Sequence, residues 1–324
     1  MVWIEFVICS SLMIFFAYHL CREGIILSKK TRLEEGLIGM FFLALATSFP
    51  EVATGSSAVF FLGNIGLGYG DIIGSIIVNS MILLFLDFFQ GRGRILFRAS
   101  RISRLTGIFA VVLLSAVFAA AVLRHRGYPI FAFKGIGLES IVIALMYIGA
   151  LEVVRRSNRK EDIDIYQTKE SFFSIWSKFI ALLIIVLLLS MWLAKTGEKI
   201  ADTTDLSETF TGALFLGFAT SFPEMIVSFS ALRAGSVDMA VGNIVGSNLF
   251  DVFIVPILDS LTRAPILGML TSGQILITGA VILLSVVTAL ALYWRRDTTR
   301  RINWDTALIF VIGFMVFVLL YYVR

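Results

Sequence analysis

Ala46-Thr47-Ser48-Phe49-Pro50-Glu51 and Ala219-Thr220-Ser221-Phe222-Pro223-Glu224 are one hexapeptide written twice. Each copy lies inside a long apolar stretch. Each therefore puts a carboxylate, two hydroxyls and a helix-breaking proline at membrane depth. An acidic group in lipid is costly, and two in duplicated settings point to a cation site. Proline removes a backbone donor and opens a helix. Opened helices paired between two halves of a chain are the means by which secondary transporters hold ions near the bilayer midplane.

The surrounding composition sets the class. The 324-residue chain is 58% hydrophobic and 15% charged, with a mean hydropathy of +0.91. Such a chain is built of membrane spans. Hydropathy predicts ten, at 2–20, 36–62, 70–90, 106–123, 134–154, 172–194, 208–232, 236–260, 270–293 and 306–323. The first 20 residues lack a basic leader and carry Glu5, so they read as the first span rather than a signal peptide. Two cysteines, Cys9 and Cys21, are too few for a disulfide framework.

The net charge of +4 does not indicate nucleic-acid binding, because the basic residues sort by side. With ten spans, the loops 21–35, 91–105, 155–171, 233–235 and 294–305 share one face and carry 19 of the 27 Lys and Arg, against 7 on the other. The positive-inside bias puts the first face in the cytoplasm and both termini on the extracytoplasmic side of the cell (inner) membrane.

The repeat extends beyond the hexapeptide. Gly39 matches Gly212 and Glu51 matches Glu224 at an offset of 173. Residues 70–79 (GDIIGSIIVN) match 242–251 (GNIVGSNLFD), and Asp87 matches Asp259, at an offset of 172. The chain thus reads as two halves, 1–154 and 172–324, joined by a basic linker at 155–171. The halves are five spans apart. Because five is odd, equivalent spans cross in opposite senses, and the expected fold is an all-α integral membrane protein of two inverted five-helix repeats. A pseudo-two-fold axis in the membrane plane would bring Glu51 and Glu224 face to face.

The chemistry of the expected site is all oxygen. Proline frees carbonyls around Ala44 to Ala46 and Gly217 to Ala219, and it pushes Phe49 and Phe222 away from helical dihedrals. Thr47, Ser48, Thr220 and Ser221 add hydroxyls. In the second motif Gly70, Gly74, Gly242 and Gly246 permit close helix approach. Ser75 with Asn79, and Ser247 with Asp251, share a helix face at i, i+4 spacing. Three carboxylates, Glu51, Glu224 and Asp251, converge with no His or Cys. Such a cage suits hard cations: Ca²⁺ takes about six to eight oxygens in flexible geometry, and Na⁺ has a similar radius.

The paired Thr-Ser-x-Pro-Glu and Gly-[Asn/Asp]-x-x-Gly-Ser segments resemble the two α-repeats of the cation/Ca²⁺ exchanger superfamily, and among its members the prokaryotic Na⁺/Ca²⁺ exchangers. The motifs cover 39–87 and 212–259. The resemblance implies that Glu51 and Glu224 coordinate Ca²⁺ and share the Na⁺ sites, and that Thr47 and Thr220 lend backbone oxygens to Ca²⁺. It implies that Ser48, Ser221, Ser75 and Ser247 supply hydroxyls to outer and inner Na⁺ sites, joined by the carbonyls of Ala44 and Gly217. Asn79 and Asp251 match a midplane polar pair. The resemblance further implies that spans one and six form a unit that slides over the rest, that Na⁺ entry drives Ca²⁺ out, and that no cofactor is needed. The sequence departs from the family at Asp71, where Asn is usual and where Asn243 stands in the second copy, and at Ile76, where the second copy keeps Asn248. Asp71 could alter selectivity or could face water.

Other readings are weaker. Gly68-Tyr69-Gly70-Asp71 fits the Gly-x-Gly-Asp string of intramembrane aspartyl proteases, but that chemistry needs a second aspartate to share a proton, and no Tyr-Asp partner occurs in any span. An H⁺/Ca²⁺ antiporter would need carboxylates alone; the four serines favour Na⁺. Asp87, Asp259, Glu139 and Glu152 fall near span ends, where interfacial solvation is the simpler expectation. The sequence therefore predicts a monomeric antiporter embedded in the lipid bilayer, with Ca²⁺ and Na⁺ as its transported partners and no enzymatic activity.

Overall fold

The computed structural model describes residues 1–31, 47–90, 93, 95–133, 135–157, 171–233, 235, 237–293 and 303–323. Its framework is helical: α1 (Val2–Thr31), α2 (Phe49–Phe61), α3 (Ile65–Gln90), α4 (Arg101–His125), α5 (Leu138–Ser157), α6 (Phe172–Thr204), α7 (Glu208–Arg233, interrupted), α8 (Val237–Ser260), α9 (Ser272–Tyr293) and α10 (Trp304–Tyr322). Eight of them are long and apolar enough to cross a membrane. The two others are α2 and α5. The expected second span runs partly through 32–46, outside the described residues. The expected fifth is the 20-residue α5, whose polar ends carry Glu139, Arg155 and Arg156. Most of the linker, 158–170, is also outside the described residues. One departure from an all-α plan is a two-stranded antiparallel ribbon, Ala132–Phe133 with Ile136–Gly137, that turns through Gly135 at φ +92° ahead of α5.

Local chemistry sets the helix starts. Ser100, Ser171 and Ser207 each accept a hydrogen bond from the backbone N–H three residues on, satisfying a donor that the first turn leaves free. α6 ends at Asp205 in the left-handed region (φ 54°), which Asp tolerates better than most residues.

The apolar interior divides in two. The larger cluster joins α3, α4, α5, α8, α9 and α10. The smaller is built on Cys9, Met13 and Ala17 of α1 with Phe179, Val186 and Leu193 of α6, and it touches α2, α3 and α7 through Ala58, Leu67 and Leu216. Outward faces are studded with exposed large apolar residues such as Leu145, Leu188, Leu283 and Phe314. Such a belt is uncovered in water and buried in lipid.

α3 and α7 pack backbone against backbone. A side chain at Gly74 would sit 2.2 Å from the Ala213 carbonyl oxygen, and one at Gly70 would sit 2.4 Å from that of Thr209. From the other side, a side chain at Gly212 would run into the Leu67 carbonyl oxygen, and one at Gly217 would sit 2.8 Å from the Ser75 nitrogen. Small residues here replace side-chain packing by backbone contact, as expected for helices in lipid. In the second copy, a side chain at Gly242 would sit 3.3 Å from Ser103 Oγ, and one at Gly246 would enter open space among the described residues.

Candidate cation site

The two hexapeptides break their helices at matching points. Ser48 (φ −99°, ψ 18°) and Ser221 (φ −81°, ψ 0°) leave regular helical geometry, and α2 and the last segment of α7 (Phe222–Arg233) begin immediately after them. The break was expected at Phe49 and Phe222 but falls one residue earlier. Each phenylalanine opens the new helix and its proline sits in the first turn, where the missing N–H costs nothing. Upstream, Gly212–Leu216 winds as a π-turn, a feature that inserts an extra residue per turn and re-aims the side chains beyond it.

The breaks deliver the expected side chains to one interior. Glu51, Glu224, Asp251, Asn79, Ser48, Ser75, Thr220 and Ser221 are fully buried, and Thr47 and Ser247 nearly so. Ser48 Oγ donates to Glu224 Oε1 at 3.0 Å and approaches Ser247 Oγ at 3.3 Å, while Ser247 Oγ reaches the same Glu224 oxygen at 3.5 Å. Asn79 Nδ2 donates to Asp251 Oδ2 at 3.3 Å, joining two positions 172 residues apart. Ser75 Oγ and Thr220 Oγ1 are 3.4 Å apart. Apart from Ser247 with Glu224, each of these contacts pairs a residue of the first half with one of the second.

Several oxygens in this interior have no hydrogen-bond partner: both of Glu51, Oε2 of Glu224, Oδ1 of Asp251, Oδ1 of Asn79 and Oγ of Ser221. Buried polar atoms are ordinarily satisfied, so a cluster of acceptors without donors needs a positive partner. Among the described residues no Lys, Arg or His is buried. No three of the described His, Cys, Asp and Glu side chains stand close enough to form a metal centre by themselves. The carboxylates are instead interleaved with hydroxyls and an amide.

Of the two expected carbonyl ligands, Ala44 lies outside the described residues. The Gly217 carbonyl accepts from Ser221 N at 3.1 Å within its own helix, which leaves one lone pair for an ion.

Some functional-looking residues stand elsewhere than their sequence positions suggest. Asp87 and Asp259, expected at a solvated interface, are fully buried. Asp87 accepts from Ile95 N, Asn303 N and Thr306 Oγ1 at 3.0, 3.0 and 2.7 Å. Asp259 accepts from Ile266 N and Gly137 N at 2.5 and 2.8 Å. Each therefore ties the loop after its own helix to the start of a helix in the other half. Their equal offset was the available signal. Glu139 is likewise buried, in a two-pronged ion pair with Arg124. Asp71, one candidate for a water-facing residue, is fully buried.

A cavity of about 450 Å³ opens beside the α2–α3 turn, lined among others by Asn64, Gly66, Glu198, Glu208, Thr209 and Gln274. Gln274 Nε2 donates to Thr209 Oγ1 at 2.9 Å across it.

Comparison with known proteins agrees with this geometry. The family model described as sodium/calcium exchanger protein matches residues 1–154 and 174–323. Inner membrane protein YrbG of Escherichia coli is 26% identical over 301 residues, covering 88% of this chain and 86% of its own. Among solved structures, the H⁺/Ca²⁺ exchanger CAX superposes with a TM-score of 0.74 at 13% identity, over 99% of this chain and 86% of that one. The sodium-calcium exchanger NCX_Mj superposes with a TM-score of 0.59 at 21% identity, over 98% and 99%. At these identities the structures speak for the fold.

Proposed function

The chain belongs to the sodium/calcium exchanger protein family, a family of membrane ion exchangers rather than catalytic enzymes, and from that premise we propose that it is an antiporter exporting Ca²⁺ in exchange for Na⁺. The observation that carries the reading is the junction of Ser48, Glu224 and Ser247, with the unpartnered carboxylate of Glu51 also in the buried interior. Glu51 and Glu224 serve both ions. The hydroxyls of Ser48, Ser221, Ser75 and Ser247 serve Na⁺, whose single charge gains most from neutral oxygens. Thr47, Thr220, Ala44 and Gly217 add backbone oxygens, and Asn79 with Asp251 closes the midplane. Ca²⁺ and Na⁺ compete for shared oxygens, so the cage crosses loaded with one or the other, and that exclusion is the coupling.

The architecture proposed for this exchange is ten spans in two inverted repeats, 1–154 and 172–324, with 155–171 as a cytoplasmic linker and both termini outside. The crossed ties of Asp87 and Asp259 support it, since each anchors the other half. The separate apolar cluster of α1 and α6 supports a sliding unit that alternates access on the two sides. The cavity at Glu208 and Gln274 lies on the face assigned to the exterior and serves as the outer mouth. Both hexapeptides lie on one chain, so a single copy carries every proposed ligand, and we take the exchanging unit to be the monomer.

H⁺/Ca²⁺ exchange is the second reading, and the likeness to CAX favours it. The buried serines at the Glu224 carboxylate favour Na⁺, because a proton needs no hydroxyl cage. Reconstituted protein taking up ⁴⁵Ca²⁺ only against an outward Na⁺ gradient is the expected result; uptake driven by acid inside alone would replace Na⁺ with H⁺.

A further inference from the structure

The two copies of the second motif differ at one polar position, and the structure shows what the difference does. In the second half, Asn243 Nδ2 donates to the Glu224 carbonyl oxygen at 3.3 Å and to Ser228 Oγ at 2.9 Å. That amide is a brace, holding α8 against α7 just below the ion-binding glutamate. At the matching places in the first half stand Asp71 and Gly55. A carboxylate cannot donate to the Glu51 carbonyl, and Gly55 offers no hydroxyl. The brace is missing, and an acidic side chain stands in its place.

Asp71 is completely buried. Its Oδ1 accepts from Thr220 Oγ1 at 3.2 Å, while its Oδ2 has no partner. That free oxygen faces the bare Gly55, 3.7 Å from where a side chain would begin. Two buried hydroxyls without partners, Thr54 and Thr211, each adjoin a glycine packed against Asp71, Gly55 and Gly212 respectively. Since no Lys, Arg or His is buried among the described residues, none of their side chains offsets the charge in this interior. An ionised carboxylate so placed costs several kcal/mol unless it is paired.

Its position along α3 is informative. Asp71 stands four residues from Ser75 of the cage and five from Gly66 of the outer cavity, which is about 6 Å and 7.5 Å of helix rise. Thr220 links it to the cage, since the same hydroxyl is 3.4 Å from Ser75 Oγ.

We infer that Asp71, with the Thr220 hydroxyl beside it, forms an additional Na⁺ site between the outer cavity and the exchange cage, distinct from the oxygens that Ca²⁺ and Na⁺ share. The inference rests on the exchange reading above and adds a cation to it. Four buried carboxylates, Asp71, Glu51, Glu224 and Asp251, exceed the charge of one Ca²⁺ by two, so a monovalent ion at Asp71 is compatible with a Ca²⁺-loaded cage. An ion held there enters the cage after a short step and without returning to bulk water.

The test is ²²Na⁺ binding to the purified full chain by scintillation proximity, for the wild type, D71N and the double variant D71N/G55S. The double variant installs the brace of the second half, and a Cβ at Gly55 would meet nothing closer than 3.6 Å, so its melting temperature is expected to be no lower than that of the wild type. Both variants are expected to bind one Na⁺ fewer per chain at saturation. In the wild type, saturating Ca²⁺ should displace all Na⁺ except one. Equal Na⁺ counts in wild type and double variant, or complete displacement by Ca²⁺, would overturn the Asp71 site; if Na⁺ still displaces ⁴⁵Ca²⁺ from the wild type, the exchange reading survives that result. Wild-type protein that binds Ca²⁺ but no Na⁺ at all would overturn both.

Discussion

Ser48 and Glu224, 176 residues apart in the chain, meet through a 3.0 Å hydrogen bond in the buried centre of the molecule. A residue from the break in one half thus touches the glutamate just past the break in the other. This crossing makes the two hexapeptides one site.

The glutamates should be indispensable. Glu51→Gln and Glu224→Gln keep the shape but remove a charged ligand. A hydrogen bond or ligand contact to a charged group is worth about 1.5–3 kcal/mol, so each should weaken ⁴⁵Ca²⁺ binding by roughly 10- to 100-fold and abolish transport. Normal flux in either variant would exclude that glutamate from the site.

Ser48 and Ser247 should separate the two ions. Ser48→Ala and Ser247→Ala delete neutral oxygens that touch Glu224. A neutral hydrogen bond contributes about 1 kcal/mol, so the Na⁺ concentration for half-maximal exchange should rise by about fivefold, with a smaller change for Ca²⁺. An equal loss for both ions would mean that the hydroxyls only position the glutamate.

Much of the site is legible in the sequence. The duplicated motif announces it and its chemistry because ion-binding groups in lipid must be polar, few and repeated. Ser75, Asn79, Ser247 and Asp251 are readable from i, i+4 spacing. Asp87, Asp259 and Glu139 are not, because proximity to a span end looks the same whether the carboxylate meets water or backbone N–H groups. Their partners, Asn303, Gly137 and Arg124, come from other elements, and distant pairing leaves no local pattern. The π-turn at Gly212–Leu216 also escapes, since its composition is that of any apolar helix.

The buried aspartates should matter for stability rather than for ions. Asp87→Asn and Asp259→Asn each weaken several charge-assisted bonds to backbone N–H groups. A loss of about 2–3 kcal/mol is expected, read as a lower melting temperature in detergent, with ⁴⁵Ca²⁺ affinity unchanged in the protein that remains folded. Altered affinity at unchanged stability would make them part of the ion path.

Gly74 should tolerate no side chain. Its Cβ would lie 2.2 Å from the Ala213 carbonyl oxygen and 2.4 Å from the Ala213 Cα. Backbone cannot step aside as a flexible side chain does, so Gly74→Ala must part α3 from α7 at a cost of about 1–3 kcal/mol. Ser75 and Thr220 then separate, and Na⁺-driven flux should fall with the melting temperature. A stable, active Gly74→Ala would refute the close contact.

The central claim is coupling of Ca²⁺ to Na⁺, and ⁴⁵Ca²⁺ uptake into liposomes holding the purified chain tests it most directly. Vesicles loaded with Na⁺, with choline or with acid supply the three possible driving conditions. The predicted result is uptake from the Na⁺-loaded vesicles alone, abolished in Glu51→Gln. Equal uptake with choline inside, or uptake that tracks only the acid interior, would contradict it.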